Sequence, residues 1–402
     1  MSLKRPISIV VLIDALGWTY LEGRSFLSGF VPHRNPVRTI LGFSSGAIPT
    51  ILTGQPPVVT KHWNLLYYDP QSSPFRWTRS IGFLPELVLD HRITRRAITE
   101  LGRRFLGMGP SFECCVSPRL LSWFDWAEKR NIYSEKGISG APSIFDDLFA
   151  HQVPYRAYSY HDLSDAKIIL RANADLKDTD ARFFFVYLSE MDMFLHLHCD
   201  EQGEVTRKLR WYADGISKLF ETAYAIDSGA RLTVISDHGM APVRNHYDLL
   251  GLLEGLSFRM PEDYLAVFDS TMARFWFFND RARRAVVEKL SNITCGSWLS
   301  ENELMREGVL FADRRFGEAI FLLNPGWLLS RSDFNGAGWM PKGMHGYHPD
   351  DRHSDAILLT NYVSRSENVR TIAGIHGHMS EAIRYVSGSS AEPLNSVFGV
   401  PA

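Results

Sequence analysis

Three stretches of this chain are almost continuously apolar and end abruptly on acidic residues. Residues 7–13 (ISIVVLI), 183–188 (FFFVYL) and 232–235 (LTVI) show little polar alternation, the pattern of strands buried on both faces of a parallel sheet. They run into Asp14, into Ser189-Glu190-Met191-Asp192 and into Ser236-Asp237-His238-Gly239. Between them the period lengthens. Residues 143–150 (SIFDDLFA) open on a serine suited to cap a helix. Residues 205–226 put Leu209, Tyr212, Ile216, Leu219, Ala223 and Ile226 on one helical face. A last apolar run, 356–359 (AILL), returns to the core. This alternation predicts an α/β fold: a doubly wound, mostly parallel sheet with helices on both faces. In such sheets ligands gather beyond the carboxyl ends of the strands, so the three acidic endings are expected to converge.

Two regions break the rhythm. Residues 63–140 are rich in Arg, Trp, Phe and Pro, while 242–341 mix strand-like runs (AVFDSTMARFWFF, AIFLLN) with loops such as NGAGWMP. No Ser/Gly/Pro-rich linker bounds either one, so residues 1–402 are expected to form one domain carrying two cap insertions. Within the first, residues 90–106 predict a helix with Ile93, Ala97, Ile98, Leu101 and Phe105 against the core and Arg92, Arg95, Arg96 and Arg103 on the opposite face. Residues 76–130 hold ten Lys/Arg against six Asp/Glu, so that arginine face is expected either to stand in water as the outside of a cap helix or, on the sharper reading, to approach an anionic substrate or a membrane surface.

Residues 39–54 (TILGFSSGAIPTILTG) place Ser44 and Ser45 between Gly42 and Gly46, where the backbone can turn sharply. AIPTIL, 47–52, reads as a helix start with Pro49 in its first turn. A serine there would lie at the positive end of a helix dipole, suited to an anion or an alkoxide.

Composition narrows the setting. The 402 residues are 45% hydrophobic and 22% charged with a net charge of −2, which gives no reason to expect nucleic acid. Cys114, Cys115, Cys199 and Cys295 form no CxxC pair, consistent with a reducing, cytoplasmic setting. Lys4-Arg5 ahead of the first apolar run imitates a signal peptide, but Asp14 ends that run after seven residues, which favours a core strand. No run reaches the roughly eighteen apolar residues of a spanning helix.

Oxygen and nitrogen ligands accumulate at the predicted strand ends. Asp192 and His196, four apart, share a face on a helical turn; Asp237 and His238 are adjacent; Asp14 ends the first strand. His345 lies in the loop KGMHGY, with His376 in GIHGHM as its competitor. Three carboxylates and three imidazoles suit two divalent cations, Zn²⁺ above all, with Mn²⁺ or Fe as alternatives.

The order Asp14, FSSGAIPTILTG, SEMDMFLH, SDHGM, GMHGY resembles the alkaline phosphatase superfamily, and within it the type I phosphodiesterase/nucleotide pyrophosphatase branch. The resemblance implies that Ser44, in register with Thr53-Gly54, is the nucleophile, a position held by threonine in nucleotide pyrophosphatases and serine in alkaline phosphatases. It further implies one metal on Asp192, His196 and His345 and another on Asp14, Asp237, His238 and the Ser44 oxygen. The family's last histidine sits in a GxHGY-like loop, which selects His345 over His376. The PxxHG element that follows in the branch is only partly present: Pro57 and Tyr68-Asp69-Pro70 match, Thr60-Lys61 replace His-Gly, His62 is not carried over, and Asn64 is a candidate for the asparagine that holds a phosphate oxygen. Gly46 and Ile48 stand where sulfatases carry proline and arginine. Ser45, His198, His348 and His353 are supporting residues or bystanders.

The activity implied is metal-dependent hydrolysis of a phosphodiester or pyrophosphate through a phosphoseryl intermediate. Alternatives are head-group phosphotransfer, phosphomonoester hydrolysis, and a non-catalytic glycan- or lipid-binding role. The expected partner is a small or lipid-linked phosphate ester, with peripheral membrane contact as an added expectation.

Overall fold

The computed structural model describes residues 5–109, 112–159, 163–334, 340–363 and 369–388. Most of the NGAGWMP loop, residues 335–339, lies outside them. Six strands form the central sheet: β1 (Ser8–Ile13), β2 (His33–Val37), β3 (Tyr155–Tyr158), β4 (Phe183–Leu188), β5 (Arg231–Ile235) and β6 (Ala356–Thr360), in the order β2-β6-β5-β1-β4-β3. Strands β5, β1, β4 and β3 are parallel, and β6 runs antiparallel to both β5 and β2.

The unalternated runs follow from the layering. In β1, Ile9, Val11 and Ile13 face one apolar cluster while Val10 and Leu12 face another; in β4, Phe184 and Val186 oppose Phe183 and Phe185 in the same way. Helices α1 (Ser44–Thr53), α2 (Asp165–Asp178), α4 (Gln202–Ile226) and α5 (Ile375–Ser387) cover these faces, joined by the short helix Ile144–Ala150 through Ile144, Phe145 and Leu148, with α3 (Glu190–His198) between α2 and α4 in the chain. Helices α2 and α4 pack on one side through Ile168, Leu176, Leu209 and Ile216, and α1 and α5 on the other through Ile48, Ile51, Met379 and Ile383. At about 25 cal/mol per Å² of apolar surface buried, this double coverage is the main stabilising term.

The serine helix begins earlier than the sequence suggests. The Phe43 carbonyl accepts from the N–H groups of Gly46 and Ala47, so α1 starts at Ser44 and Pro49 falls in its second turn. Proline there removes one backbone donor; the hydroxyls of Thr50 and Thr53 back-bond to Gly46 O and Pro49 O at 2.9 and 2.7 Å. The consequence is that Ser44 occupies the first helical position, where backbone N–H groups lack intrahelical acceptors. Gly42, at φ +130°, leaves room for Trp63: a Cβ at this position would lie 2.6 Å from the indole nitrogen.

A second, antiparallel sheet of four strands comprises Tyr264–Asp269, Met272–Phe277, Ala319–Leu323 and Gly296–Trp298 in that spatial order. AVFDSTMARFWFF is therefore a hairpin rather than one run, turning at Ser270-Thr271. The face carrying Leu265, Val267 and Trp276 packs on Leu66, Phe75, Phe112, Phe124 and Trp126 from residues 63–140, so the two irregular regions share one apolar cluster. Fully buried Arg274 ties them together. It pairs with Asp269 and donates through Nη1 to Leu66 O at 3.0 Å.

The arginine-rich helix, Arg92–Phe105, is rotated from its expected orientation. Ile98, Thr99 and Gly102 are buried, whereas Ile93 and Phe105 are exposed. The cause is Gly102, which has no side chain to keep the Phe112 ring off the helix: a Cβ there would lie 2.5 Å from that ring. Two of the four arginines are also used internally. Arg95 donates to Cys115 O and pairs with Asp90 at 2.9 Å, and Arg103 donates to Phe112 O at 2.9 Å.

Candidate functional site

Every acidic strand ending reaches one place at the carboxyl edge of the sheet. Asp14 directly follows β1, Asp237 and His238 follow β5, and α3, entered from β4, presents Asp192 and His196 one turn apart. Ser44 arrives on the first turn of α1. His345 comes from the far end of the chain by a short ladder, Gly343–Met344 pairing antiparallel with Ala241–Pro242. That ladder stacks the His345 and His238 rings, centroids 3.9 Å apart and planes within 11°.

The side chains form two groups of three, Asp192/His196/His345 and Asp14/Asp237/His238, the ligand atoms of each lying within 4.8 Å of one another. Ser44 Oγ lies 2.9 Å from His238 Nε2. His376, the alternative to His345, is elsewhere, against Gly54 and 3.9 Å from Asp147.

Hydrogen bonding fixes which nitrogens face the carboxylates. A carbonyl oxygen can only accept, so His196 Nδ1 donates to Gly343 O at 2.8 Å and His238 Nδ1 donates to Gly239 O at 2.9 Å. In the neutral rings the lone pair is then on Nε2. His196 Nε2 lies 3.3 Å from Asp192 Oδ2, and His238 Nε2 lies 3.2 Å from Asp237 Oδ2 and 3.6 Å from Asp14 Oδ1. Asp14 Oδ1, Asp237 Oδ2 and Asp192 Oδ1 are buried without a hydrogen-bond donor. Lone pairs aimed at unpaired buried carboxylates are costly unless a cation sits between them. The donor set thus fits two divalent cations, and its mixture of imidazole and carboxylate suits Zn²⁺.

The electrostatics carry the same strain. Burial, with Asp237 and Asp192 nearby, pushes the Asp14 carboxyl well above its ordinary range. Burial pushes Asp192 up too, but the neighbouring His196 outweighs it and holds that carboxyl low. Burial and the neighbouring His238 keep His345 neutral, the form in which imidazole binds a metal.

Several supporting contacts were invisible in the sequence. Tyr187 donates its hydroxyl to Asp14 Oδ2; a lone phenol near the end of an otherwise apolar strand was the available signal. Ala15 N–H donates to Asp237 Oδ1 at 3.1 Å, and the Thr39 hydroxyl holds Asp237 O at 2.6 Å. Ser45, by contrast, donates to Trp63 O at 3.0 Å. His198 pairs with Glu201 at 3.1 Å and His348 with Asp350 at 3.5 Å, while His353 contributes its backbone carbonyl to the packing around Gly239. His62 is buried, which lowers its pKa to about 4.

A cleft of about 260 Å³ opens over Ser44, lined also by Phe43, Asn64, Leu65, Ser270 and Phe334. Asn64 Nδ2 is buried there with no hydrogen-bond partner. The cleft walls are mainly apolar, with few polar groups near the serine, an arrangement common to small-ligand sites.

The fold has close counterparts. Murine ectonucleotide pyrophosphatase/phosphodiesterase 5 superimposes with a TM-score of 0.66 at 13% identity, covering 97% of both chains. Its human counterpart gives 0.66 at 12% identity, covering 97% of this chain and 96% of that one. An inactive variant of the murine protein in complex with AMP gives 0.65 at 14% identity, covering 97% of both chains. No curated protein sequence matches significantly. The profile described as Type I phosphodiesterase / nucleotide pyrophosphatase, by contrast, spans residues 8–348. With Asp14, Ser44 and all the clustered acids and histidines inside that span, the chain belongs to the type I phosphodiesterase/nucleotide pyrophosphatase family, whose members are metal-dependent hydrolases of phosphodiester bonds.

Proposed function

We propose that this protein is a two-metal phosphohydrolase that cleaves a phosphodiester or pyrophosphate through a phosphoseryl intermediate on Ser44. One observation carries the reading: Ser44 Oγ lies 2.9 Å from His238 Nε2 of the Asp14/Asp237/His238 group and lines the cleft. Asp192, His196 and His345 would hold one cation and Asp14, Asp237, His238 and Ser44 the other. Bound there, Zn²⁺ would supply Lewis acidity, favouring the serine alkoxide and offsetting charge on the phosphoryl oxygens.

The chain's own groups do the rest. Position one of α1 sets Ser44 for in-line attack and directs unpaired backbone N–H groups at the anionic phosphoryl group. The Asn64 amide is free to donate to a phosphoryl oxygen. Attack forms the Ser44 Oγ–P bond and expels the leaving-group oxygen; water then attacks phosphorus, breaks that bond and restores the hydroxyl.

On this reading residues 63–140 and 242–341 are cap insertions that build the cleft, supported by Leu65 on one wall and Ser270 and Phe334 on the other. The four free, buried cysteines support a cytoplasmic location. The deciding experiment is intact-mass analysis of enzyme quenched during turnover of a chromogenic phosphodiester. A phosphoryl adduct that maps to Ser44 and is lost in Ser44→Ala supports the mechanism; turnover by Ser44→Ala at the parental rate overturns it.

A further inference from the structure

We infer that the outward face of residues 83–105 is a docking surface for an anionic lipid bilayer. The inference does not depend on the chemistry at Ser44. It starts from the rotation of the helix Arg92–Phe105, which turns large apolar side chains into water. Phe83, Leu87, Ile93 and Phe105 are 82, 86, 67 and 76% exposed. Isolated exposed apolar residues are ordinary, but four of this size within 23 positions concentrate exposed apolar surface on one stretch of chain, and such concentrations mark interaction sites.

The patch is held in place from beneath. Leu89, Ile98 and Phe112 are buried, the Thr94 hydroxyl donates to Val88 O at 2.7 Å, and Arg119 Nη2 donates to Leu84 O at 2.8 Å. The short helix Glu86–Leu89 is thereby fastened to the start of Arg92–Phe105. These anchors hold the apolar side chains outward instead of letting them fold back.

Charge selects the occupant. Arg92 and Arg96 are exposed and make no ion pair among the described residues, and exposed Arg104 pairs there only with the half-exposed Glu100, at 3.3 Å. Apolar side chains flanked by arginines are the composition of a segment that lies in the headgroup layer of a membrane, the apolar tips entering the acyl boundary and the guanidinium groups meeting anionic lipids. A neutral or acidic protein partner would account for the apolar tips or for the charge, whereas an anionic bilayer accounts for both. No helix among the described residues is long and apolar enough to cross a membrane, so this contact would be peripheral.

The test is co-sedimentation of the full chain with vesicles of phosphatidylcholine alone and of phosphatidylcholine with phosphatidylglycerol. Binding is expected only to the anionic vesicles and should weaken with salt. It should fall by about tenfold or more both in Phe83→Ser/Leu87→Ser/Ile93→Ser/Phe105→Ser and in Arg92→Gln/Arg96→Gln/Arg104→Gln. All seven positions are outside the cleft, so hydrolysis of a small soluble phosphodiester should be unchanged and serves as the folding control. Absence of binding to anionic vesicles, equal binding to neutral ones, or full binding by either variant overturns the inference. So does a concentration-dependent dimer that the same substitutions abolish, which would make the patch a contact between copies.

Discussion

Ser44 and His238 meet with their roles already divided: His238 gives its Nδ1 proton to Gly239 O, leaving the Nε2 lone pair to accept from the Ser44 hydroxyl at 2.9 Å. The serine is thus oriented toward the Asp14/Asp237/His238 group. Its neighbour Ser45 is committed to Trp63 O. Ser44→Ala should lower kcat about a thousandfold or more while retaining the fold. Ser45→Ala should lose one hydrogen bond, about 1 kcal/mol of stability, and keep most activity. Steady-state kinetics and thermal melts of the two variants check this, and a dead Ser45→Ala beside an active Ser44→Ala would reverse the assignment.

Metal content separates the two histidines that competed in the sequence. His345→Ala removes one of three ligands from its group, so elemental analysis should find about one bound cation where the parent holds about two. His376→Ala, changed beside Asp147 on the far side of Gly54, should retain both. A full complement in His345→Ala would remove that residue from the site.

Tyr187→Phe deletes only the hydroxyl that meets Asp14. Groups that orient a ligand typically contribute 10–100-fold in metal affinity or activity, so the expected result is an activity loss of about that size. Excess Zn²⁺ should partly restore it. An undiminished affinity in a chelator competition would show that Asp14 holds its position without the phenol.

Arg274→Met leaves Asp269 charged in a dry interior between the two irregular regions. Breaking one side of a buried pair costs about 3–5 kcal/mol, which chemical denaturation can measure. Arg274→Met/Asp269→Leu should recover much of that loss. If the single substitution is silent, the two regions are held together by their apolar cluster alone.

Burial raises the Asp333 carboxyl to about 7, with Phe268 N–H donating to it at 2.8 Å. The folded pKa is above the unfolded one, so the unfolded state releases the proton first as pH rises. Stability is consequently lost between about pH 4 and 7. The side chain keeps some solvent access, so on the order of 1–2 kcal/mol is a reasonable expectation after screening. Asp333→Asn can still accept from Phe268 and should flatten the parent's decline in Tm over that window. Parallel pH profiles would show that Asp333 ionises normally.

The central sheet was legible because β1, β4 and β5 are buried on both faces and leave unalternated runs. Edge strands β2 and β3 left no such mark: HRNPV carries a proline, tolerated only at an edge or bulge, and YRAY is half exposed. Asp14, Asp192 and Asp237 were readable as strand endings, and His196 by its helical spacing from Asp192. The orientation of the helix Arg92–Phe105 was not, because Gly102 and Phe112 fix it through a contact across a turn of chain that periodicity does not record. Ser270 and Phe334 were equally hidden, since only the second sheet's packing brings them to the cleft.

The ladder that joins Ala241–Pro242 to Gly343–Met344 closes the intervening hundred or so residues into a loop with touching ends. His238 stands just before that junction and His345 just after it, so their stacking rests chiefly on the junction, with one loop residue, Thr271, also donating its hydroxyl to Gly346 O at 3.0 Å. Closing a longer loop costs little more than closing a shorter one, about 0.6 kcal/mol per doubling. Away from Thr271, the intervening chain can therefore vary in length and sequence while the two histidines stay in register. Since that loop supplies Ser270 and Phe334 to the cleft, it is the part of the molecule in which substrate preference can evolve without disturbing the reactive centre.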